Sequence, residues 1–371
     1  MYLHRLTLLN FKTYPELDIQ FSQKVNCFVG NNGVGKTNLF DAIYYLAFCK
    51  SFFNIPDADI ATHGHDFFMA EGEYTFEDRT ERIQCGYKTD QKKRIRRNDK
   101  EYQRIADHIG LIPLVMVSPA DSGLITETSE ERRRYMNSVI SQFDRGYLED
   151  VIQYNKALLY RNKLLKDSGR SGDLDPDLLA VWDDKLAATG DRIFDRRKRF
   201  VEELLPIFQK YYTLISGGNE VVSMDYQSQL TEEGTLQLLK RERSRDLQVQ
   251  FTSAGIHRDD LVFRISGYPI KYQGSQGQQK TYLVSLKMAQ YDFLKQVSGV
   301  RPLLLLDDVF DKLDAGRVTQ IIQLVAEDHF GQIFITDKDQ GHLENILGNL
   351  PVSYKLFRVK NGSIQTVGNG T

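Results

Sequence analysis

The sequence predicts an α/β fold with a parallel core sheet, a flanking antiparallel sheet and an inserted helical arm. Three observations support this prediction. A glycine-rich loop joins an apolar segment to a helical one within residues 24–47. Short alternating segments, typical of antiparallel strands, follow at residues 69–102. Long amphipathic helical patterns then occupy most of residues 129–215.

The composition is that of an ordinary globular protein. The chain has 371 residues, 41% of them hydrophobic, and a net charge of −2, so the total charge does not favour a polyanionic partner. The first residues have no apolar leader and no run is long enough to span a bilayer, so we expect a soluble cytoplasmic protein without a membrane partner. Cys27, Cys49 and Cys85 lack C-x-x-C spacing, which predicts reduced and mostly buried thiols.

The loop at residues 30–37 fits the pattern G-x-x-x-x-G-K-[ST]. Residues 24–29 before it predict a buried strand, and residues 38–47 repeat apolar side chains at helical spacing. In this context the N–H groups of the loop can surround a polyphosphate at the start of a helix. We expect Lys36 to neutralise β- and γ-phosphate charge and the Thr37 hydroxyl to bind Mg²⁺. The predicted ATP-binding residues are Gly30, Asn31, Asn32, Gly33, Val34, Gly35, Lys36, Thr37 and Asn38.

Alternating segments surround this loop. Residues 6–12 and 17–21 predict a hairpin with its turn at residues 14–16. Residues 69–102 predict an antiparallel sheet with a tight turn at Asn98 and Asp99. Residues 111–117 predict one more buried strand.

The pattern becomes helical after residue 121. Residues 129–166 and 176–215 predict long helices, and the polar residues 167–173 between them predict the loop of a helical hairpin. Shorter elements follow: strands at 221–226, 247–252 and 261–265, and a helix at 231–245. We therefore assign residues 1–120 and 250–371 to the core domain and residues 121–249 to the inserted helical arm.

A second motif lies near the C-terminus. Residues 302–306 form an apolar run that ends in Asp307 and Asp308, as a strand of the Walker B type requires. Asp307 would then stand beside Mg²⁺ and Asp308 would face the attacking water. With Lys36, these two aspartates are the predicted catalytic residues, and Thr37 and Asp307 are the predicted metal ligands.

A third motif precedes a good helix at residues 281–289. The residues of this motif that we predict to contact a bound anion are Ser275, Gln276, Gly277 and Gln278. A serine and a glycine at a helix start leave N–H groups free, which makes a second anion site. Alone, such a segment is also typical of an ordinary helix cap.

The P-loop, the Ser275 motif and the strand ending at Asp307, in that order along the chain, resemble the P-loop ATPase heads of ATP-binding-cassette and SMC-like proteins. Ser275–Gln279 resembles the signature of the bacterial RecF recombination-mediator family, and further matches span nearly the whole chain. They lie at residues 9–12, 50–52, 118–121, 132–135, 255–260 and 305–308. The sequence departs from the family pattern at Lys12 and Phe53, where arginine is frequent, and at Ile256, where proline is usual.

The resemblance implies a mechanism for the three motifs. ATP bound by the P-loop of one copy would be closed by Ser275 of a second copy, so that ATP drives a two-fold homodimer. Asp314 would lie on the short loop that crosses the same interface. Hydrolysis would release the dimer, and slowly, because Asp308 is shorter than the glutamate found in many such heads. Transporter cassettes carry a histidine where this chain offers Thr336 or Asp337, so the switch differs from theirs.

The resemblance also implies DNA as a partner, as duplex or a gapped junction, in recombinational repair, replication restart and the SOS response, together with RecR and RecO. Two clusters of cations support DNA binding. Their residues are Lys92, Lys93, Arg94, Arg96 and Arg97 on a predicted hairpin, and Arg132, Arg133 and Arg134 on the helical arm. Such clusters can neutralise phosphates without reading sequence. They are also typical of solvated faces paired with neighbouring acids, as Glu130 and Glu131 permit.

Other functions remain compatible with parts of the pattern. A P-loop kinase would act as a monomer and would give Ser275 no role. A short SMC-like DNA clamp would need a longer arm than residues 121–249 provide. A transporter ATPase would carry the histidine that is absent here.

Overall fold

The computed structural model describes residues 1–77, 79–171, 174–218, 220–310, 315–326, 329–341 and 353–370. The strands are β1 (Tyr2–Phe11), β2 (Tyr14–Gln20), β3 (Val25–Val29), β4 (Phe67–Phe76), β5 (Arg79–Lys88), β6 (Arg94–Arg97), β7 (Lys100–Glu101), β8 (Leu114–Val117), β9 (Val222–Gln227), β10 (Asp260–Ile265), β11 (Tyr268–Pro269), β12 (Leu303–Asp307), β13 (Ile333–Asp337), β14 (Tyr354–Lys360) and β15 (Ser363–Gly370). The helices are α1 (Lys36–Phe48), α2 (Gly123–Thr126), α3 (Ser129–Ile140), α4 (Arg145–Ser171), α5 (Pro176–Ser216), α6 (Thr235–Val249), α7 (Ile270–Gln273), α8 (Gln276–Ser298) and α9 (Ala315–Ala326).

The chain divides into two compact units. The head unit comprises Met1–Asp121, Tyr211–Gly218 and Ser275–Thr371, and the helical unit comprises Ser122–Lys210 and Asn219–Gly274. The first boundary lies where the composition changes. The second boundary was assigned between residues 249 and 250 but lies between Gly274 and Ser275. Residues 260–265 stay in the helical unit because β10 pairs with β9.

The parallel sheet of the head unit carries the nucleotide motifs. Its strand order is β15-β14-β3-β13-β12-β8, and β14, β3, β13, β12 and β8 run parallel. All residues of β3, β12 and β13 are buried, as the continuous apolar runs predict for strands covered on both faces. The carboxyl ends of these strands meet at one edge, where Val29 pairs with Asp337 and Asp307 with Thr336.

The second sheet of the head unit is antiparallel, in the order β2-β1-β4-β5-β6-β7. Helix α1 contacts strands of both sheets and is apolar on nearly all sides, which is the pattern of a fully buried helix. The first turn lies at Lys12 and Thr13 rather than at residues 14–16, and Pro15 lies inside β2. This placement is tolerated because β2 is an edge strand. The tight turn at Asn98 and Asp99 is confirmed, with φ of 49° and 67°.

The helical unit contains α2 to α4, most of α5, α6, α7 and the sheet β11-β10-β9. Three details differ from the prediction. The helical segment predicted at 129–166 is divided, because α3 ends at Ile140 and α4 begins at Arg145. Helix α4 continues to Ser171 through most of the predicted loop, whose last residues, 172 and 173, lie outside the described residues. The strand predicted at 247–252 is wrong, because α6 continues to Val249 and Gln250 ends it with φ of 59°.

The three cysteines are free and buried, as predicted. Among the described residues, no helix combines the length and the apolar character that crossing a membrane requires.

Candidate nucleotide-binding site

The P-loop occupies the turn between β3 and α1, and two of its glycines are sterically required. A Cβ at Gly30 would lie 2.5 Å from the carbonyl oxygen of Val359. Gly35 has φ of 115°, which L-residues rarely adopt, and a Cβ there would lie 2.8 Å from Thr13 Oγ1. The loop therefore packs against its neighbours too closely for side chains at these positions.

The Lys36 side chain lies inside the loop. Its Nζ donates to the carbonyl oxygens of Gly30 at 2.5 Å and Asn31 at 3.0 Å, and the residue is 8% exposed. Burial lowers the pKa of this ammonium, while the charges of Asp308 and Asp307 act in the opposite direction. A cation placed here among loop N–H groups suits a polyphosphate.

Asp307 joins the P-loop to the predicted Walker B strand. Thr37 Oγ1 donates to Asp307 Oδ2 at 3.0 Å, and Thr336 Oγ1 donates to Asp307 Oδ1 at 2.8 Å. Ser118 Oγ lies 3.5 Å from Oδ2. Burial raises the pKa of the Asp307 carboxyl, although the hydrogen bonds from Thr336 and Thr37 partly offset this effect. A buried carboxylate is thus surrounded by neutral hydroxyls.

This donor set fits Mg²⁺. The hydroxyl of Thr37 and the carboxylate of Asp307 are hard oxygen ligands at contact distance. No cluster of three or more histidine, cysteine, aspartate or glutamate side chains in the described ranges could hold a metal by itself. Mg²⁺ is typically bound in this way, by one or two protein ligands together with water and substrate phosphates.

Asp308 has φ of 50°, in the left-handed region. Its backbone N–H donates to Thr336 Oγ1 at 2.9 Å. Thr336 therefore fixes both aspartates, since the same hydroxyl donates to Asp307. Sequence reasoning named Thr336 only as the residue at the histidine position of transporters.

These residues surround a cleft of about 220 Å³. Its lining is Asn32, Gly33, Gly35, Lys36, Thr37, Asn38, Pro119, Asp307, Asp308 and Thr336. Gly30 and Asn31 do not line the cleft, but their carbonyl oxygens accept from Lys36 Nζ. Val34 does not line it either, and its side chain is half-buried beside Gly30. The structure thus brings together most of the predicted ATP-binding residues and the three predicted catalytic residues.

Sequence reasoning missed two residues that position the loop. The Tyr14 hydroxyl donates to the carbonyl oxygen of Gly35 at 3.0 Å, and Asn38 Nδ2 donates to Thr13 Oγ1 at 3.0 Å. Both partners belong to the first hairpin. The sequence signal nearest to Thr13 and Tyr14 is the hairpin turn, which was predicted at residues 14–16 and lies at Lys12 and Thr13.

The signature residues begin α8. Ser275 is the N-cap: its Oγ accepts from the N–H of Gln278 at 3.2 Å, and Gln278 Oε1 accepts from the N–H of Ser275 at 2.8 Å. Ser275 and Gln276 are exposed, and Gly277 and Gln278 are half-buried. None of these four residues lines the described cleft. Asp314, predicted to act beside them, lies outside the described residues.

The cations on the helical unit have internal partners. Arg132 donates to Asp260 at 2.6 and 3.0 Å, and Arg133 donates to Ser129 Oγ and the carbonyl oxygen of Asp259, both at 2.7 Å. Arg134 pairs with Glu131 at 2.6 Å and with Glu130 at 3.1 Å. These contacts give the three arginines structural roles, so we remove them from the DNA surface.

The cations on the head unit divide into two groups. Lys93 pairs with Asp57 at 2.7 Å, and Arg97 pairs with the buried Glu81. Lys92 and Arg94 are exposed and Arg96 is half-buried, and in the described part of the chain they form no ion pair. Only these last three remain candidates for a phosphate surface.

The fold and the site define the chain as an ATPase head of the SMC type. Residues 2–365 match the family model described as the RecF/RecN/SMC N terminal domain. The chain is similar to a solved Smc head domain from Pyrococcus furiosus, with a TM-score of 0.57 and 16% identity over 100% of this chain and 96% of that one. This last likeness concerns the fold alone.

Nearer relatives narrow the assignment. The chain is 51% identical to the DNA replication and repair protein RecF of Bacteroides thetaiotaomicron over 99% of both chains. It is 47% identical to the same-named protein of Flavobacterium johnsoniae, over 97% of this chain and 100% of the relative. A solved structure of the recombination mediator protein RecF with ATP, in the RecFOR pathway, matches with a TM-score of 0.89 and 30% identity over 99% and 98% of the chains. The chain belongs to the RecF family of DNA replication and repair proteins.

Proposed function

We propose that this chain is an ATP-dependent DNA-binding protein of recombinational DNA repair and replication restart, with a weak ATPase activity that acts as a switch. The contact of Thr37 with Asp307 at 3.0 Å carries the proposal, because it joins the two nucleotide motifs across 270 residues of sequence. The relative whose solved structure contains ATP supports ATP as the nucleotide.

Four side chains of the cleft have roles in this proposal. Lys36 and the loop N–H groups bind the β- and γ-phosphates. Thr37 and Asp307 would hold Mg²⁺, which neutralises phosphate charge when bound. Asp308 orients the attacking water and accepts its proton. Aspartate reaches one methylene less far than glutamate, so we expect slow turnover.

The signature explains how ATP could act on assembly. Ser275 stands exposed at the N-terminus of α8, outside the cleft lining of its own chain. In the proposed homodimer this helix start donates to the γ-phosphate held by the second copy. Loss of the γ-phosphate removes the charge that Ser275 recognises, and the dimer separates.

DNA phosphates would contact Lys92, Arg94 and Arg96, which are the cations without internal partners described above. Such binding does not depend on sequence and weakens as salt rises. We place this action in the cytoplasm at DNA gaps, and the RecFOR pathway named for the solved relative supports RecR and RecO as partners.

Light scattering with and without ATP and Mg²⁺ tests the assembly mechanism. We expect the wild type to dimerise with ATP and to separate as ATP is consumed. Asp308→Asn should retain the dimer, because the water is no longer activated. Ser275→Arg should bind ATP but remain a monomer.

Ser298→Arg is the matched control, since it adds the same charge at the exposed far end of α8. It should dimerise like the wild type. A wild-type protein that stays monomeric when saturated with ATP and Mg²⁺ would overturn the proposed switch.

A further inference from the structure

A second cavity, of about 430 Å³, lies on the outward face of the antiparallel sheet of the head unit. Its floor follows one row of paired residues, in which Leu9 pairs with Met69, Met69 with Gly86, and Gly86 with Arg94. Paired residues on neighbouring strands share a face of the sheet. Phe67, two residues before Met69 on β4, lies on the same face and also lines the cavity. The floor is therefore mainly apolar, although Gln84, two residues before Gly86 on β5, also lines the cavity from this face.

The cavity exists because Gly86 has no side chain. A Cβ built at Gly86 would meet no atom within 4 Å, so the sheet has an open slot between Met69 and Arg94. A glycine inside a strand commonly marks a place where another group approaches the backbone closely. The volume lies within the range of small-molecule and cofactor pockets.

The rim of this cavity is cationic. Lys88, Lys92, Arg94 and Arg96 all line it. Lys88 lies 3.9 Å from Asp66, whereas the other three have no ion-pair partner among the residues that the structure describes. We call the cavity, with its apolar floor and these four cations, the basic groove. Its chemistry suits a ligand that combines a flat apolar surface with several negative charges.

The sheet itself argues against a peptide in this groove. Strand β5 pairs with β4 from Arg79 to Lys88 and with β6 from Ile83 to Gly86, so the backbone groups of the floor are largely used within the sheet. An added peptide strand would find few free N–H or C=O groups, and its own polar backbone would be buried without partners. A nucleotide has no such requirement, because its charge lies on the phosphate and its base is planar.

We propose that the basic groove binds an unpaired nucleotide of a DNA strand, with the base over the floor at Gly86 and the phosphates on Arg94, Arg96 and Lys92. The inference rests on the proposed DNA-binding function and adds the means by which the protein distinguishes a gap from continuous duplex. A base inside a duplex is stacked and paired and must be extruded before it can enter, whereas a base in a gap is already available.

The test uses two DNA ligands of identical sequence, one continuous and one with a short gap, in the presence of ATP and Mg²⁺. The first unpaired base of the gap is replaced by the fluorescent analogue 2-aminopurine. Wild-type protein should bind gapped DNA about tenfold more tightly than duplex, as expected for one stacked base. The emission should rise as the base leaves the DNA stack.

Gly86→Leu fills the slot without changing charge. It should reduce the ratio of gapped to duplex affinity to about one and abolish the rise in emission. Arg94→Gln should weaken binding of both ligands and lessen the salt dependence. Lys100→Gln, an exposed lysine outside the groove, is the matched control and should keep the wild-type ratio.

Four outcomes would overturn the inference. Gly86→Leu could keep both the gap preference and the emission change, which would place the unpaired base elsewhere. Duplex could bind in a salt-dependent way with no gap preference, in which case this inference fails and the proposed function stands. Failure of the wild type to bind either DNA would remove the proposed function as well. A labelled peptide of alternating aspartate and leucine serves as the competing probe, and its binding in place of DNA would make the groove a peptide site.

Discussion

Two aspartates, one in each unit, are almost fully buried but have opposite surroundings. Asp307 of the head unit is 3% exposed and accepts from the hydroxyls of Thr37 and Thr336. Asp259 of the helical unit is 1% exposed and accepts from Arg197 Nη1 at 3.0 Å. Burial raises the pKa of both carboxyls.

The difference teaches how to separate a functional carboxylate from a structural one. A buried charge is costly unless it is paired. Asp259 has its counter-charge within the chain, because Arg197 donates to its Oδ2, and this pair stabilises the unit. Among the residues that the structure describes, Asp307 has only neutral donors at hydrogen-bonding distance, which leaves it suited to a cation brought by a ligand.

The largest expected effect concerns Asp259 and its partner Arg197 in the helical unit. Arg197 is 2% exposed and also donates to Tyr147, Asn137 and the carbonyl oxygen of Ile256. Arg197→Met leaves Asp259 buried without a counter-charge, so the free energy of unfolding of the helical unit should fall by about 3–5 kcal/mol. Trp182, the single tryptophan, lies on α5 in this unit, so its fluorescence in urea reports the loss.

Arg196→Met is the control for the neighbouring position. Arg196 pairs with Asp144 and Asp150 but is 31% exposed, so its loss should cost no more than about 1 kcal/mol. Equal losses for the two variants would mean that burial does not distinguish the two arginines.

The second largest effect concerns Asp307 in the cleft of the head unit. Asp307→Asn retains the shape but removes the negative charge that would hold Mg²⁺, so the ATPase rate should fall about a hundredfold, equivalent to about 2.7 kcal/mol. Unfolding followed by Trp182 should change little, because this tryptophan lies in the other unit. Asp292→Asn, at a buried head aspartate bonded to Tyr211 outside the cleft, should keep the ATPase activity. An active Asp307→Asn enzyme would assign the carboxylate a structural role like that of Asp259.

The sequence predicts the nucleotide motifs of the head unit much better than the ion pairs of the helical unit. The P-loop, β12 and the cap of α8 follow from local signals, because each depends on residues close together in the chain. The partners of Arg132 and Arg133 do not, since Arg132 pairs with Asp260 across 128 residues, whereas Arg134 pairs with its neighbours Glu130 and Glu131, as the local sequence permits. Charge clustering shows where cations are but not which acids the fold brings to them. For the same reason Arg132 to Arg134 were predicted as a DNA surface.

Other elements were misassigned because two periods fit the same residues. Residues 247–252 alternate like a strand, yet the helical pattern of α6 continues into them as far as Val249. The contact between Tyr14 and Gly35 spans 21 residues and has no motif, so nothing local predicts it. Sequence therefore predicts most of the residues that line the cleft, while the residues that position the P-loop require the fold.

The third effect is a dependence on pH. Burial, with smaller contributions from Arg258 and Arg133, lowers the pKa of His257 from 6.5 to about 4. His257 Nε2 donates to the carbonyl oxygen of Thr252 at 3.0 Å, so in the neutral ring Nδ1 accepts from the Tyr154 hydroxyl at 2.9 Å. Between these two pKa values the unfolded chain binds a proton that the folded unit does not. Stability therefore falls as pH falls below 6.5, by about 2 kcal/mol at pH 5.

Urea unfolding at pH 7 and pH 5, followed by Trp182, measures this loss in the helical unit. His257→Gln should remove most of the difference between the two pH values. Burial also lowers the pKa of His108 in the head unit, so His108→Gln is the control and should leave the helical unit's pH response intact. A pH response that survives His257→Gln would assign the effect to other groups.

The smallest effect tests whether neutral hydroxyls matter to the loop. Tyr14→Phe removes the hydrogen bond to Gly35 and leaves that carbonyl without this donor, which should weaken ATP binding by about 1 kcal/mol, or about fivefold. Tyr74 is the matched control in the same unit, because its hydroxyl is buried without a hydrogen-bond partner in the described structure. Tyr74→Phe should therefore be neutral or stabilising and should keep ATP affinity, as measured by titration calorimetry. If both variants bound ATP equally well, the hydroxyl of Tyr14 would have no part in holding the P-loop, and the neutral donors that matter at this site would be confined to those around Asp307.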